Sequence, residues 1–380
     1  MRYRTLGRSG ILVSEIGLGC EHLQGKEYPV VEATMEEAFR LGINLFDVFM
    51  SEPTVRSHVG RALEGRREQA VIQGHIGAIW EDGQYAVSRD LQACRESFAD
   101  LLSRLGTTYI DVGMIHFVDT EDGFDSVFHG GLMDYARELK AQGVLKAIGL
   151  ATHNVHMAKR AVETGLIDVL MFSVNPAFDL MPNDVTIEEM LENEGLSGTL
   201  QNQIDPERVA LYGECERRGV AITVMKTYMA GLLLRPEQSP FGWALSPAQC
   251  IHYALTRPAV ASALIGCVSQ EEIQTAAAYE EATDAERDFS EVFQKTFTGG
   301  GTCVYCNHCL PCPAYIDVAQ VNKYLDLAQI GAEIPATIRA HYHALEAKAE
   351  DCTDCGACEE RCPFGVPVRQ RMKEAERRFG

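Results

Sequence analysis

Cationic side chains are scarce in this chain of 380 residues: 34 Lys and Arg stand against 54 Asp and Glu, a formal charge of −20. A surface so acidic repels nucleic-acid phosphates and anionic lipid headgroups, so no nucleic acid and no membrane is expected as a partner, and a basic redox protein is favoured. Long apolar runs are missing too. The longest, around residues 169–174, falls far short of the ~20 apolar residues that a membrane-crossing helix needs, and the start MRYRTLGRSG has no apolar signal core. A soluble, cytoplasmic protein is expected. With 46% hydrophobic and 23% charged residues, neither a disordered nor a fibrous chain is tenable.

What is present is an alternation. Apolar runs at Glu15–Cys20, Ile43–Val48, Ala70–Ile76, Tyr109–Phe117, Lys146–Thr152, Val169–Asn175, Ala221–Tyr228 and Ser262–Val268 read as strands. Amphipathic stretches such as VEATMEEAFRLG and MDYARELKAQG lie between them, each closed by a glycine suited to a helix C-terminus. Eight such units predict an α/β fold, a (β/α)8 TIM barrel over residues 1–297. RYRTLGRSGILVSEI reads as a short hairpin able to plug the barrel's N-terminal end, and the polar stretch 184–206 as a long loop over the site face. The run TGGGT at 298–302 marks a linker to a second, ferredoxin-like domain over 298–380, with helices expected near 318–332 and 337–350.

Cysteine is the one unusual abundance, at 13 residues. Cys303, Cys306 and Cys309 follow CxxCxxC spacing and precede Cys312-Pro313; Cys352, Cys355 and Cys358 repeat it before Cys362-Pro363. Such a triplet wraps three thiolates around three corners of an iron–sulfur cube, and the fourth ligand is a Cys-Pro cysteine of the other motif in two-cluster ferredoxins. On that rule one [4Fe-4S] cluster takes Cys303, Cys306, Cys309 and Cys362, and the other Cys352, Cys355, Cys358 and Cys312. The first motif has two residues rather than three before its last cysteine, which fixes the ligand set more firmly than the crossing. Structural zinc is the alternative, although zinc sites usually use separated CxxC pairs. Of the scattered cysteines, only Cys20 and Cys267 sit at predicted strand ends.

In a TIM barrel the chemistry sits at the C-terminal ends of the strands. Those ends carry Asp47, His75, His116, His153 with Asn154, Asn175 and Lys226. An Asp and two His on three successive strands should converge on one mouth, where they can act as acids and bases or as a two-His, one-carboxylate metal triad.

The segments RYRTLGRSGILVSEIGLGC, GINLFDV, GRALEGRR, YIDVGMIH and KAIGLATHN resemble the aldo/keto reductase family over the whole barrel, and the cysteine-rich tail resembles the subgroup with a C-terminal ferredoxin-like domain. The resemblance implies NADPH-dependent carbonyl reduction by an Asp, Tyr, Lys, His tetrad. Asp47 matches the Asp and His116 the His. Glu52 stands where the family has its Tyr, and His75 where it has its Lys, so the general acid and the cation that tunes it are replaced. Glu52 and His75 are the candidate substitutes.

After the eighth predicted strand, Gly266 and Ser269 open a helix with Glu272 in capping-box spacing, a turn that the resemblance assigns to the dinucleotide. Val268 and Ser269 stand where a basic residue commonly grips the 2′-phosphate. A flavin phosphate held by this turn and by Met229–Gly231 fits nearly as well as NAD(P)H, with Asn154, Asn175 and Lys226 as further cofactor contacts. The expected function is an iron–sulfur oxidoreductase, acting on a small molecule in the barrel mouth with electrons from a redox partner such as a ferredoxin. Two other readings are an NAD(P)H-dependent carbonyl reductase with structural clusters and a non-catalytic electron carrier.

Overall fold

The computed structural model describes residues 1–182, 200–201, 203–296, 301–330 and 333–380. Most of the loop expected over 184–206, and residues 298–300 of the expected linker, lie outside the described residues.

Eight parallel strands close a barrel: β1 Ile16–Gly19, β2 Leu45–Val48, β3 Val71–Ile76, β4 Ile110–Ile115, β5 Leu145–Thr152, β6 Val169–Ser173, β7 Ala221–Met225 and β8 Val260–Gly266, with β8 pairing back onto β1. Their sequences read as near-continuous apolar runs because helices cover the outside and side chains fill the inside, so both faces are buried. β4 and β6 are buried at every residue. Tyr3–Thr5 and Leu12–Ser14 pair as the antiparallel hairpin foreseen ahead of the barrel. Leu6 and Val13, fully buried, join the cluster of Leu45, Val112 and Met171, so the hairpin's apolar side plugs the barrel.

Register sets the mouth. Asp47 on β2 pairs with Gln73 on β3, and His75, two residues on and on the same face as Gln73, pairs with Met114 on β4. His116 follows immediately, its N–H donating to the Ile76 carbonyl at 3.0 Å. A second hairpin, Ala78–Glu81 with Gln84–Val87, leaves β3 just beyond this point. Its turn is Asp82-Gly83 with φ of 51° and 79°, the left-handed pair that a two-residue hairpin loop requires.

The contacts divide the chain into two compact units. The first, residues 1–174, 220–230 and 259–280, holds all eight strands; the second, 175–219, 231–258 and 281–380, holds the cysteine motifs together with helices Pro206–Arg218 and Pro247–Thr256. The boundary expected at 297 falls inside the second unit. That unit is built around the fully buried Asp179, which accepts from Arg208 Nε at 2.8 Å, Tyr212 OH at 2.5 Å and Tyr253 OH at 2.6 Å. A buried carboxylate with three donors, one of them cationic, meets the demand that isolation from water imposes. Helices Val318–Ala328 and Val368–Phe379 are tied by Arg371, which bonds Asn322 and Asp326. Among the described residues, no helix is long and apolar enough to cross a membrane.

Candidate active site and cluster ligands

Four side chains at the C-terminal mouth of the barrel form one line of hydrogen bonds. Asp47 Oδ1 lies 3.1 Å from His75 Nε2, His75 Nδ1 lies 2.7 Å from His116 Nδ1, and His116 Nε2 lies 2.5 Å from the hydroxyl of Tyr85. Gln73 Nε2 donates to the same Asp47 oxygen at 3.0 Å. Asp47, His75 and His116 are buried, whereas Tyr85 on the second hairpin is 42% exposed. The line therefore runs from the barrel interior to solvent. Phe49 stacks on the His116 ring at 5.5 Å and 9°, fixing its plane.

The protons on this line can be assigned by elimination. An ionised Asp47 only accepts, so His75 Nε2 carries a hydrogen, and one proton is shared between the two Nδ1 atoms. Burial, reinforced by the charges of His75, Arg89 and His153, pushes the His116 pKa well below its ordinary value, so His116 is neutral at pH 7. With the shared proton on His75, His116 presents Nε2–H to the tyrosine oxygen and the phenolic proton is free to point outward. With the proton on His116 Nδ1, Nε2 is bare and the phenol donates inward. Partial burial raises the Tyr85 pKa, against the pull of Arg89, so the phenol stays protonated. The two arrangements differ by one proton.

Asp47, His75 and His116 thus come together as the sequence suggests, but not as metal ligands. The imidazole nitrogens face one another rather than a common point, and among the described residues no three His, Cys, Asp or Glu side chains are placed to share a single ion. Glu52, expected as an acid, caps helix Pro53–Ala62 instead, accepting from Thr54 N at 3.1 Å and Val55 N at 2.6 Å. Burial opposes its ionisation, but these bonds win and hold its pKa below the usual carboxylate range. Asn154 and Asn175 are also caps: their Oδ1 atoms accept from Met157 N at 3.0 Å and Phe178 N at 2.9 Å. Lys226, just past β7, and Gly231 adopt left-handed backbone with φ of 59° and 87°. Asn175 and Gly231 belong to the second unit, and the other mouth residues to the first.

The turn at Gly266 and Ser269 is largely self-satisfied. Ser269 Oγ accepts from Glu272 N at 3.2 Å, Glu272 Oε2 accepts from Val268 N at 2.7 Å, and the His22 ring lies where a Cβ on Gly266 would stand. Glu271 and Glu272 add two carboxylates to that first turn. Cys20 and Cys267 are buried, and burial pushes the Cys267 thiol up to about 12, leaving it unreactive.

Tyr85 is the residue that sequence reasoning missed. The signal was present in AIWEDGQYAV, an Asp-Gly pair between alternating apolar residues.

In the second unit, Cys312 lines one small concavity with Cys352, Cys355, Cys358, Arg361 and Arg369. Ahead of the other motif, Gly301 N donates to Phe364 O at 2.6 Å, and Cys362 is near enough to act electrostatically on Cys306. Burial, and then the charges of Asp288 and Cys362, push Cys306 up to about 11, while burial takes Cys303 to about 12. Thiols so placed ionise when iron binds them. The donor set fits two cubanes, whose ligands sit on separate irons rather than around one ion, and the crossing of Cys312 is the arrangement expected of a two-cluster ferredoxin.

Residues 15–240 match the aldo/keto reductase family, and residues 301–366 match the 4Fe-4S dicluster domain. The chain belongs to the aldo/keto reductase family, with an iron–sulfur dicluster domain following the barrel. It is 31% identical over 190 residues to the uncharacterized oxidoreductase YqkF of Bacillus subtilis, a match spanning 48% of this chain and 59% of that protein. It is 27% identical over 251 residues to the NADH-specific methylglyoxal reductase of Escherichia coli, covering 61% of this chain and 72% of the relative. The fold resembles aldo-keto reductase AKR11C1 from Bacillus halodurans in its holo form, at a TM-score of 0.61 and 23% identity, over 78% of this chain and 97% of that one.

Proposed function

We propose that this chain is an iron–sulfur oxidoreductase that reduces a small carbonyl compound, or an alkene conjugated to a carbonyl, in the barrel mouth. The observation that carries the reading is the line Asp47–His75–His116–Tyr85, with a histidine at the position where the family has its lysine. The two [4Fe-4S] clusters, held by Cys303, Cys306, Cys309 and Cys362 and by Cys352, Cys355, Cys358 and Cys312, supply electrons one at a time when bound.

The chain's own residues manage the protons. Tyr85 donates its phenolic proton to the developing alkoxide, His116 Nε2–H replaces it, and the shared proton moves from His75 Nδ1 to His116 Nδ1. Asp47 stabilises the imidazolium at the start of this sequence and holds the His75 tautomer throughout, with Gln73 fixing Asp47 in turn. Tyr85 takes the general-acid place that the sequence resemblance gave to Glu52, and His75 supplies the positive charge of the family's lysine. A low-potential redox protein such as a ferredoxin is the electron donor, and the acidic surface favours one with a basic docking face.

The relative named as an NADH-specific methylglyoxal reductase favours a second reading, in which NADH supplies hydride and the clusters are structural. In that reading Glu271 and Glu272 beside Ser269 select against the 2′-phosphate of NADPH by charge repulsion. A flavin bound near the same turn is the third arrangement. An anaerobic visible spectrum of the iron-reconstituted full chain separates them. Cluster absorbance bleached by dithionite or reduced ferredoxin, untouched by NADH and restored by methylglyoxal, is the expected result. NADH-driven reduction that survives removal of iron rejects the electron-transfer reading, and flavin bands in the spectrum would establish the third.

A further inference from the structure

A second proton-exchanging pair stands at the same mouth. Asp119, just past β4, and His153, just past β5, meet through Asp119 Oδ2 and His153 Nδ1 at 2.8 Å. Asp119 Oδ1 also accepts from Thr152 Oγ1 at 2.7 Å and from the His153 backbone N–H at 2.8 Å. Burial works against ionisation of Asp119, but these bonds and the histidine prevail and hold its pKa below the usual range. An ionised carboxylate only accepts, so His153 Nδ1 keeps its hydrogen whether the ring is neutral or doubly protonated, and the proton free to leave is the one that Nε2 carries in the doubly protonated ring. Its Nε2 has no partner among the described residues, and 22% of the side chain is exposed. The Phe117 ring sits between the two systems, 5.6 Å from the His153 ring and 6.1 Å from that of His116. Among the described residues no hydrogen bond joins this pair to the line from Asp47 to Tyr85, so the mouth has two separate sources of protons.

Proton stoichiometry gives the second source a task. A hydride brings carbon both electrons and its hydrogen, so the protein need supply only the proton on oxygen. Electrons that arrive singly bring no hydrogen, and the balance is R2C=O + 2 e⁻ + 2 H⁺ → R2CH–OH. We propose that His153, held by Asp119, delivers the second proton, to carbon, while Tyr85 delivers the first, to oxygen. The C=O π bond breaks, an O–H and a C–H bond form, and the protons leave Tyr85 Oη and His153 Nε2. Tyr85 is reloaded from His116, and His153 from water. The electrons come from a low-potential one-electron donor. The inference rests on the electron-transfer reading above.

The test is reduction of methylglyoxal in D2O by the reconstituted full chain with dithionite as donor. Deuterium is expected on the reduced carbon in a single configuration. His153→Gln is expected to slow turnover by about 10²-fold or more and to scramble that configuration. Tyr85→Phe is expected to slow turnover and leave the configuration intact. Protium at that carbon when NADH drives the reaction without clusters rejects the electron-transfer reading itself. Deuterium incorporated by His153→Gln at the wild-type rate and configuration overturns the role of His153 alone. Should methylglyoxal not turn over, nitrogen NMR of 15N-histidine-labelled full-chain protein decides. An Nδ1–H tautomer at His153 that Asp119→Ala disturbs supports the pair, and an Nε2–H tautomer indifferent to Asp119 overturns it.

Discussion

The Nδ1 atoms of His75 and His116 lie 2.7 Å apart, so two buried imidazoles from adjacent strands hold one proton between them. That contact places two strand-end histidines in one line between Asp47 and an exposed phenol. It also restricts what each ring can do, because a proton can move outward only when His75 holds the extra one and His116 stays neutral.

Removing the phenol should break the outer end of the line. Tyr85→Phe is expected to lower kcat by about 10²–10⁴-fold, the usual worth of a positioned acid. The ring is 42% exposed, so the thermal midpoint should stay near that of the parent. Steady-state turnover together with thermal unfolding checks this, and an unchanged kcat removes Tyr85 from the chemistry.

His116 makes stability depend on pH. Its folded pKa lies well below the ordinary 6.5, so on acidification below that value the unfolded chain takes up a proton that the folded chain refuses. This contribution is fully present above pH 6.5 and is lost progressively as the pH falls towards the folded pKa. Denaturant titrations at several pH values should show stability dropping with acidification, and His116→Gln should flatten the slope over that range.

Glu52 separates a helix cap from an acid catalyst. Glu52→Ala is expected to cost roughly 0.5–2 kcal/mol of stability, as loss of an N-cap does, and to leave kcat unchanged. A loss of turnover comparable to that of Tyr85→Phe, with stability intact, would restore the carboxyl to the chemistry.

Iron content tests the crossing of the two cysteine motifs. Cys312→Ser alone should lower iron from about eight to about four atoms per chain. Adding Cys355→Ser should lower it no further, since both would serve one cluster, whereas adding Cys306→Ser should remove nearly all of it. The reverse pattern would mean that each motif completes its own cluster.

Much of this molecule was legible before its structure. The eight strands fall within a few residues of their expected spans, because a strand buried on both faces writes itself as a local apolar run. The hairpin ahead of β1 was readable from GRSG between two short apolar segments, and Asp47, His75 and His116 from their places at strand ends. Glu52, Asn154, Asn175 and Ser269 all cap helices: a polar residue at a strand-to-helix junction suits a cap as well as it suits a ligand, and all four spend side-chain oxygens on backbone amides.

The sequence alone therefore determined the repeating βα units, the cysteine triplets and the acidic surface, since each is a property of neighbouring residues or of composition. Only the tertiary structure decided that a tyrosine from the hairpin after β3 meets His116 and that His116 and His75 face each other. Those pairings join residues far apart along the chain. Barrel closure, strand register and the direction of one Asp-Gly turn set them, and no local periodicity records which distant partner a side chain will find.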